Sequence, residues 1–152
     1  MRLGPVTRFV AYACFAIALA MLVPYLMAWA RSEDEAQAYL FGIFISLGVG
    51  SLSLSLGIGT KSRNVIRSGM RELLLSLLIF WAFVPFLAAI PFTLGGMTIL
   101  DGWFEAVSAL TTTGGWLSDP GAHATPYDLI YRSSLQWFGG LVSIATAGAV
   151  FV

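Results

Sequence analysis

The chain has 152 residues, 58% of them hydrophobic and only 11% charged, with a formal net charge of zero. Such a composition excludes an ordinary soluble domain and points to an integral membrane protein, and the balanced charge gives no case for nucleic-acid binding. Cys14, the single cysteine, can form no internal disulfide, and His123 has no Cys or carboxylate neighbours at ligand spacing, so neither a resident metal nor a cofactor is expected.

The first apolar segment, Phe9 to Ala30, is long enough to span a bilayer and follows Arg2 and Arg8. A basic start and Ala28-Trp29-Ala30 ahead of Arg31 also fit a cleaved signal peptide, although the run exceeds the usual apolar core of such peptides and contains Pro24. An acidic connector with Glu33, Asp34 and Glu35 leads to a second span, Tyr39 to Gly59. In it Gly42, Ser46, Gly50, Ser53 and Gly57 recur at intervals of three and four, a smooth face suited to close helix packing rather than to conduction. Lys61, Arg63, Arg67 and Arg71 follow. With Arg2 and Arg8 they place six of the eight basic residues on one side, which puts the N-terminus and this loop in the cytoplasm by the positive-inside rule. The third span is Leu73 to Phe92, with Pro85 expected to kink it and Pro91 with Gly95-Gly96 expected to end it.

Next comes Asp101-Gly-Trp-Phe-Glu-Ala-Val-Ser-Ala-Leu-Thr-Thr-Thr-Gly-Gly-Trp116. Asp101 can cap a helix on which Trp103, Phe104, Val107 and Leu110 recur at helical spacing. A helix over 101–112 would be about 18 Å long, half a bilayer. Three β-branched threonines and two glycines then favour an extended chain. A half-length helix running into a Thr/Gly strand between spans reads as a re-entrant pore loop, in which successive backbone carbonyls replace a cation's hydration shell and the helix C-terminus faces the ion. Local sequence alone equally fits an extracellular Thr-rich turn. A turn-rich strip through Asp119-Pro120-Gly121 precedes the fourth span, Leu129 to Val152. On that span Arg132, Gln136, Gly139/Gly140, Ser143 and Ala147 make a polar or small face that should meet the pore helix, with Leu135, Phe138 and Leu141 on other apolar surfaces. Arg132 needs a partner, with Asp101 or Glu105 as candidates, or it must snorkel to water.

Phe104-Glu105-Ala106-Val107-Ser108-Ala109-Leu110-Thr111-Thr112-Thr113-Gly114 closely resembles the first pore helix and filter of the Trk/Ktr/HKT cation transporters. Arg132-Ser133-Ser134-Leu135-Gln136-Trp137-Phe138-Gly139-Gly140 resembles the start of the helix after that filter in bacterial Trk-type potassium transporters. The specific match covers residues 101–145, and the upstream helix order fits. Family members carry four helix–loop–helix repeats, often after an extra helical pair; this chain has one pair and one repeat.

The fold expected is therefore an all-α membrane protein with four transmembrane helices and one re-entrant pore helix and filter loop between the third and fourth. Residues 1–68 form the helix pair. Residues 69–152 form the repeat, with spans 73–92 and 129–152, pore helix 101–112 and filter 112–115. The resemblance implies potassium transport in a multi-pass protein of the bacterial inner membrane, in contact with the lipid bilayer. Thr112, Thr113 and Gly114 would lend carbonyl oxygens to a transported monovalent cation, and Gly115 would continue the strand. In the family, glycine at the position of Gly114 goes with potassium, and serine there in the first repeat goes with sodium in some plant members. The pair Gly115-Trp116 departs from the small residues of the family pattern. The resemblance also implies a cytoplasmic nucleotide-binding regulatory subunit.

One repeat cannot encircle an ion, so conduction needs further repeats, supplied by the rest of a longer chain or by a homo-oligomer such as a tetramer. The apolar run reaching Val152 favours a piece of a longer chain. A non-conducting subunit that pairs with a full-length partner is the alternative. An intramembrane enzyme would need a nucleophile with a base or a metal cluster, and the membrane segments hold no His–Asp or Cys–His set.

Overall fold

The computed structural model describes residues 3–58, 69–117 and 125–151. The described residues form helices and no strands: α1 (Leu3–Ala30), α2 (Glu35–Ile58), α3 (Met70–Leu94), α4 (Ile99–Leu110) and α5 (Pro126–Phe151). Lys61, Arg63, Arg67, the Asp119–Gly121 turn and His123 lie outside the described residues.

Among the described residues α1, α2 and α3 are long and apolar enough to cross a membrane. Their outward faces carry large apolar side chains such as Leu19, Phe44, Leu56, Leu78 and Phe83, all exposed, as expected where lipid rather than water is the solvent. The 26-residue α5 has the length but not the uniform apolarity, because Arg132, Ser133, Ser134 and Gln136 occupy its first half. The four-span expectation therefore meets three helices that satisfy both criteria and one with a polar stretch.

The short connector Arg31–Asp34 folds α2 back along α1. The small face read from the sequence is what lets them touch. A Cβ on Gly42 would come within 2.7 Å of Met21 Sδ, one on Gly50 within 2.7 Å of Phe15 Cε1, and one on Gly57 within 2.7 Å of Thr7 Oγ1. Close backbone approach of this kind replaces the hydrophobic drive that is missing between helices in lipid.

Caps set the starts of the remaining helices. At α3 the Gly69 amide donates to Glu72 Oε2 at 3.1 Å. At α5 Thr125 and Asp128 cap each other: the Asp128 amide donates to Thr125 Oγ1 at 3.2 Å and the Thr125 hydroxyl donates to Asp128 Oδ2 at 2.8 Å. That reciprocal cap starts α5 at Pro126, before the expected Leu129. The α3 helix carries Pro85 and Pro91 in its interior and stops only at Leu94, so Pro91 does not end it. It ends where Gly96, at φ 109°, adopts a positive φ that glycine tolerates, letting the Met97 amide return to the Phe92 carbonyl at 3.1 Å.

Two tyrosines lock α5 in place. The Tyr39 hydroxyl donates to Asp128 Oδ1 at 2.8 Å, tying α2 to α5, and the Tyr131 hydroxyl donates to the Ala88 carbonyl at 3.0 Å, tying α5 to α3. Around them Phe80, Val84, Phe92, Ala106, Leu110 and Leu135 form one buried core joining α3, α4 and α5. Its effect is to hold the half-length α4 between two long helices.

Candidate functional site

The α4 helix has 12 residues, about 18 Å at the usual rise, and cannot cross a bilayer. Its cap is not Asp101. Thr98 is the N-cap: its Oγ1 accepts from the Asp101 amide at 3.2 Å, and its hydroxyl donates to the Asp101 carboxylate at 2.7 Å. The Thr-x-x-Asp spacing puts the cap one turn ahead of the expected position. Close packing of α4 on α3 needs Gly102, where a Cβ would come within 2.7 Å of Thr93 Cγ2.

The C-terminus departs from the expected geometry. The chain does not leave the helix straight into an extended strand. Thr111 is the C-cap, and Thr112 follows with φ 57°. The Thr112 amide donates to the Ala109 carbonyl at 3.0 Å and the Thr113 amide to the Ser108 carbonyl at 3.0 Å, a Schellman turn. The Gly114 amide also reaches the Ser108 carbonyl, at 3.3 Å, with Gly114 itself at φ 75°. The physical reason is that the last carbonyls of α4 are orphans in an apolar setting, and the nearest amides are those of the next residues. At the end of α3 the left-handed position of the same motif is a glycine; here it is a β-branched threonine, a conformation that costs about 1–2 kcal/mol. Strain of this kind collects at functional sites.

Thr111, Thr112, Thr113 and Gly114 are exposed, while Gly115 and Trp116 are half-buried. Among the described residues nothing donates to the carbonyls of Thr112, Thr113 and Gly114, whereas the Gly115 carbonyl accepts twice, from the Ser108 hydroxyl at 2.9 Å and from Arg132 Nη2 at 2.8 Å. Behind the loop Arg132 forms an ion pair with Glu105. Both are buried, at 2% and 1% exposure. The other Glu105 oxygen accepts from the Leu117 amide at 2.7 Å. The Arg132 guanidinium also lies 4.0 Å over the Trp116 ring.

Of the two carboxylates that spacing allowed for Arg132, the structure selects Glu105, which points inward on the α4 face turned to α5. Asp101 is spent on its own cap. No spacing signals the part played by Ser108, whose carbonyl and hydroxyl together hold Thr113, Gly114 and Gly115; that follows from the turn. Trp116, which breaks the small-residue pattern, is the flat face on which Arg132 rests. Finally, Gly139 of α5 lies against the Leu110 carbonyl, the last turn of α4.

The arrangement presents a short exposed run of backbone oxygens at the negative end of a helix, backed by a neutral buried ion pair. Such a run suits a desolvated monovalent cation. Among the described residues there is no group of His, Cys, Asp and Glu able to hold a metal ion.

No family model matches the chain. Among curated proteins it is 30% identical to the Trk system potassium uptake protein TrkH of Escherichia coli strain K12, over 99% of this chain and 31% of that protein. It is 29% identical to TrkG of the same organism, over 95% of this chain and 30% of that protein. Among solved structures, the potassium transporter TrkH from Vibrio parahaemolyticus superposes with a TM-score of 0.80 at 26% identity, over 99% of this chain and 32% of that one. These relatives are uptake proteins rather than enzymes. Over nearly its whole length the chain is thus similar, in sequence and in fold, to Trk-type potassium uptake proteins, of whose length it spans about a third.

Proposed function

We propose that this chain supplies one pore-loop unit of a potassium-conducting membrane protein, with α1, α2, α3 and α5 as spans, α4 as a re-entrant pore helix, and Thr112, Thr113 and Gly114 as ion ligands. The observation that carries the reading is the unpartnered set of carbonyls on an exposed loop whose rear is pinned by a buried Arg132–Glu105 pair. A surface turn gains nothing from two buried charges, which cost more in desolvation than a hydrophobic pair would. Further repeats, from a longer chain or from other copies, would complete the ring and cover apolar side chains of α5 such as Trp137 and Ile144. A cytoplasmic nucleotide-binding subunit is the regulatory partner proposed by analogy with the family.

The test of the filter is Gly114→Ser. At φ 75° a side chain is strained and would crowd the axis where carbonyls meet. In the conducting assembly, potassium-over-sodium permeability should fall about tenfold, which corresponds to a loss of about 1.4 kcal/mol of discrimination. Gly48→Ser, on an exposed α2 position where a Cβ would meet nothing within 4 Å, should leave the ratio unchanged. An unaltered ratio in Gly114→Ser would remove the ion-ligand assignment.

Orientation is the second part of the proposal. The basic cluster of Lys61, Arg63, Arg67 and Arg71 places the α2–α3 loop and the N-terminus in the cytoplasm of a bacterial cell, with the filter facing out. With Cys14 replaced by alanine, Ser32→Cys in the α1–α2 connector should react with an impermeant thiol reagent added outside, and Ser62→Cys should not. The reverse labelling pattern would invert the topology.

A further inference from the structure

We infer that Ser108 and Arg132 set the outer end of the ion path by occupying both lone pairs of the Gly115 carbonyl, so that the coordinating oxygens of this loop end at Gly114. The inference rests on the reading of Thr112–Gly114 as ion ligands and ends the coordinating run one residue short of the expected filter, 112–115.

A backbone carbonyl has two lone pairs. At Gly115 one receives the Ser108 hydroxyl at 2.9 Å and the other Arg132 Nη2 at 2.8 Å. A cation could use that oxygen only by displacing a hydroxyl or a guanidinium, and the guanidinium would repel it at contact distance. The oxygens of Thr112, Thr113 and Gly114 meet no such competition among the described residues. Arg132 can stand this close without spoiling the neighbouring sites because Glu105 neutralises it. Glu105 also takes the Leu117 amide at 2.7 Å, so the segment is held on both sides of Trp116. The Arg132 Cζ in turn sits over the Trp116 ring, 4.0 Å from the ring centroid, a cation–π contact. Ser108 adds the inner support, since its carbonyl holds the Thr113 and Gly114 amides while its hydroxyl holds Gly115. Every partner that turns the Gly115 carbonyl away from the path comes from the α4 face or from the first turns of α5. These are positioning residues: they act on the ion through the loop.

Two variants, one single and one double, each remove one donor to the carbonyl without dismantling the fold. Ser108→Ala removes one donor and favours the helix it sits in. The double change Glu105→Leu with Arg132→Met removes the other donor and leaves no buried unpaired charge. In the conducting assembly that contains this chain, reconstituted in proteoliposomes, Ser108→Ala should lower potassium-over-sodium permeability about 2- to 10-fold, the weight of one neutral hydrogen bond. The double change should lower it more than tenfold, because the bond it removes is charge-assisted. Ser108→Cys, a weaker donor, should fall between Ser108→Ala and the unaltered chain. A structural role alone would change the amount of assembled protein and leave the ratio untouched. If Gly114→Ser shifts the ratio while Ser108→Ala and the double change do not, the inference is overturned and the filter reading stands. If Gly114→Ser also leaves it unchanged, the filter reading falls and the inference with it.

Discussion

Glu105→Leu alone is expected to destabilise the protein by about 3–5 kcal/mol, the cost of stranding a buried arginine without its counter-charge. Arg132 sits at 2% exposure and cannot reach water without unpacking the start of α5, where Tyr131 and Leu135 are fully buried beside it. The Leu117 amide loses its acceptor in the same step. Thermal unfolding followed by size-exclusion chromatography in detergent measures the effect. Adding Arg132→Met to Glu105→Leu should restore most of the lost stability, because apolar residues of similar volume replace the pair without an orphan charge. A single variant that unfolds with the unaltered chain would mean that Arg132 escapes to solvent and that the pair does not hold the loop.

The second large effect belongs to Gly139. A Cβ there would come within 2.6 Å of the Leu110 carbonyl carbon and 2.8 Å of its Cα, and these are backbone atoms that no rotamer can move. Gly139→Ala should therefore push the last turn of α4 away from α5, at a cost of at least the 1–3 kcal/mol or so of an overpacked core. Since that turn carries Thr111 to Gly114, the proposed conducting assembly should lose its potassium-over-sodium discrimination together with stability. Gly140→Ala provides the internal comparison. Its Cβ would meet only Thr112 Cγ2, at an ordinary 3.7 Å, and alanine is the better helix former. Equal behaviour of the two alanine variants, by thermal unfolding and by permeability ratio, would show that the α4–α5 crossing is looser than the structure describes.

Much of this arrangement is legible in the chain itself. Apolar runs of spanning length mark α1, α2 and α3, because lipid tolerates no other composition over that distance. The small residues Gly42, Ser46, Gly50 and Gly57 mark the face on which α2 meets α1, because only small side chains let backbones approach in lipid. The length of α4 and the Thr-Thr-Thr-Gly-Gly run after it mark a half-length helix with an irregular exit. These are local properties, carried by residues within a few turns of one another.

Other features depend on contacts distant in sequence. Asp101 and Glu105 stand four residues apart on one helix and were equally placed to meet Arg132; the rotation of α4 against α5 turns Glu105 inward, and Thr98 claims Asp101. Gly139 and Gly140 look interchangeable in the sequence, and only the crossing of two helices gives one of them a backbone against its Cα. The run Thr111–Gly115 reads as extended because β-branched residues and glycine disfavour helix. The orphan carbonyls at the end of α4 instead draw the Thr112, Thr113 and Gly114 amides into a turn. Composition and periodicity, which are one-dimensional, determined that the protein has helices of spanning length and apolarity and a half-length helix after the third of them. The tertiary structure decided which carbonyls face outward and which are tied back, because that depends on the partners that packing brings to each buried polar group.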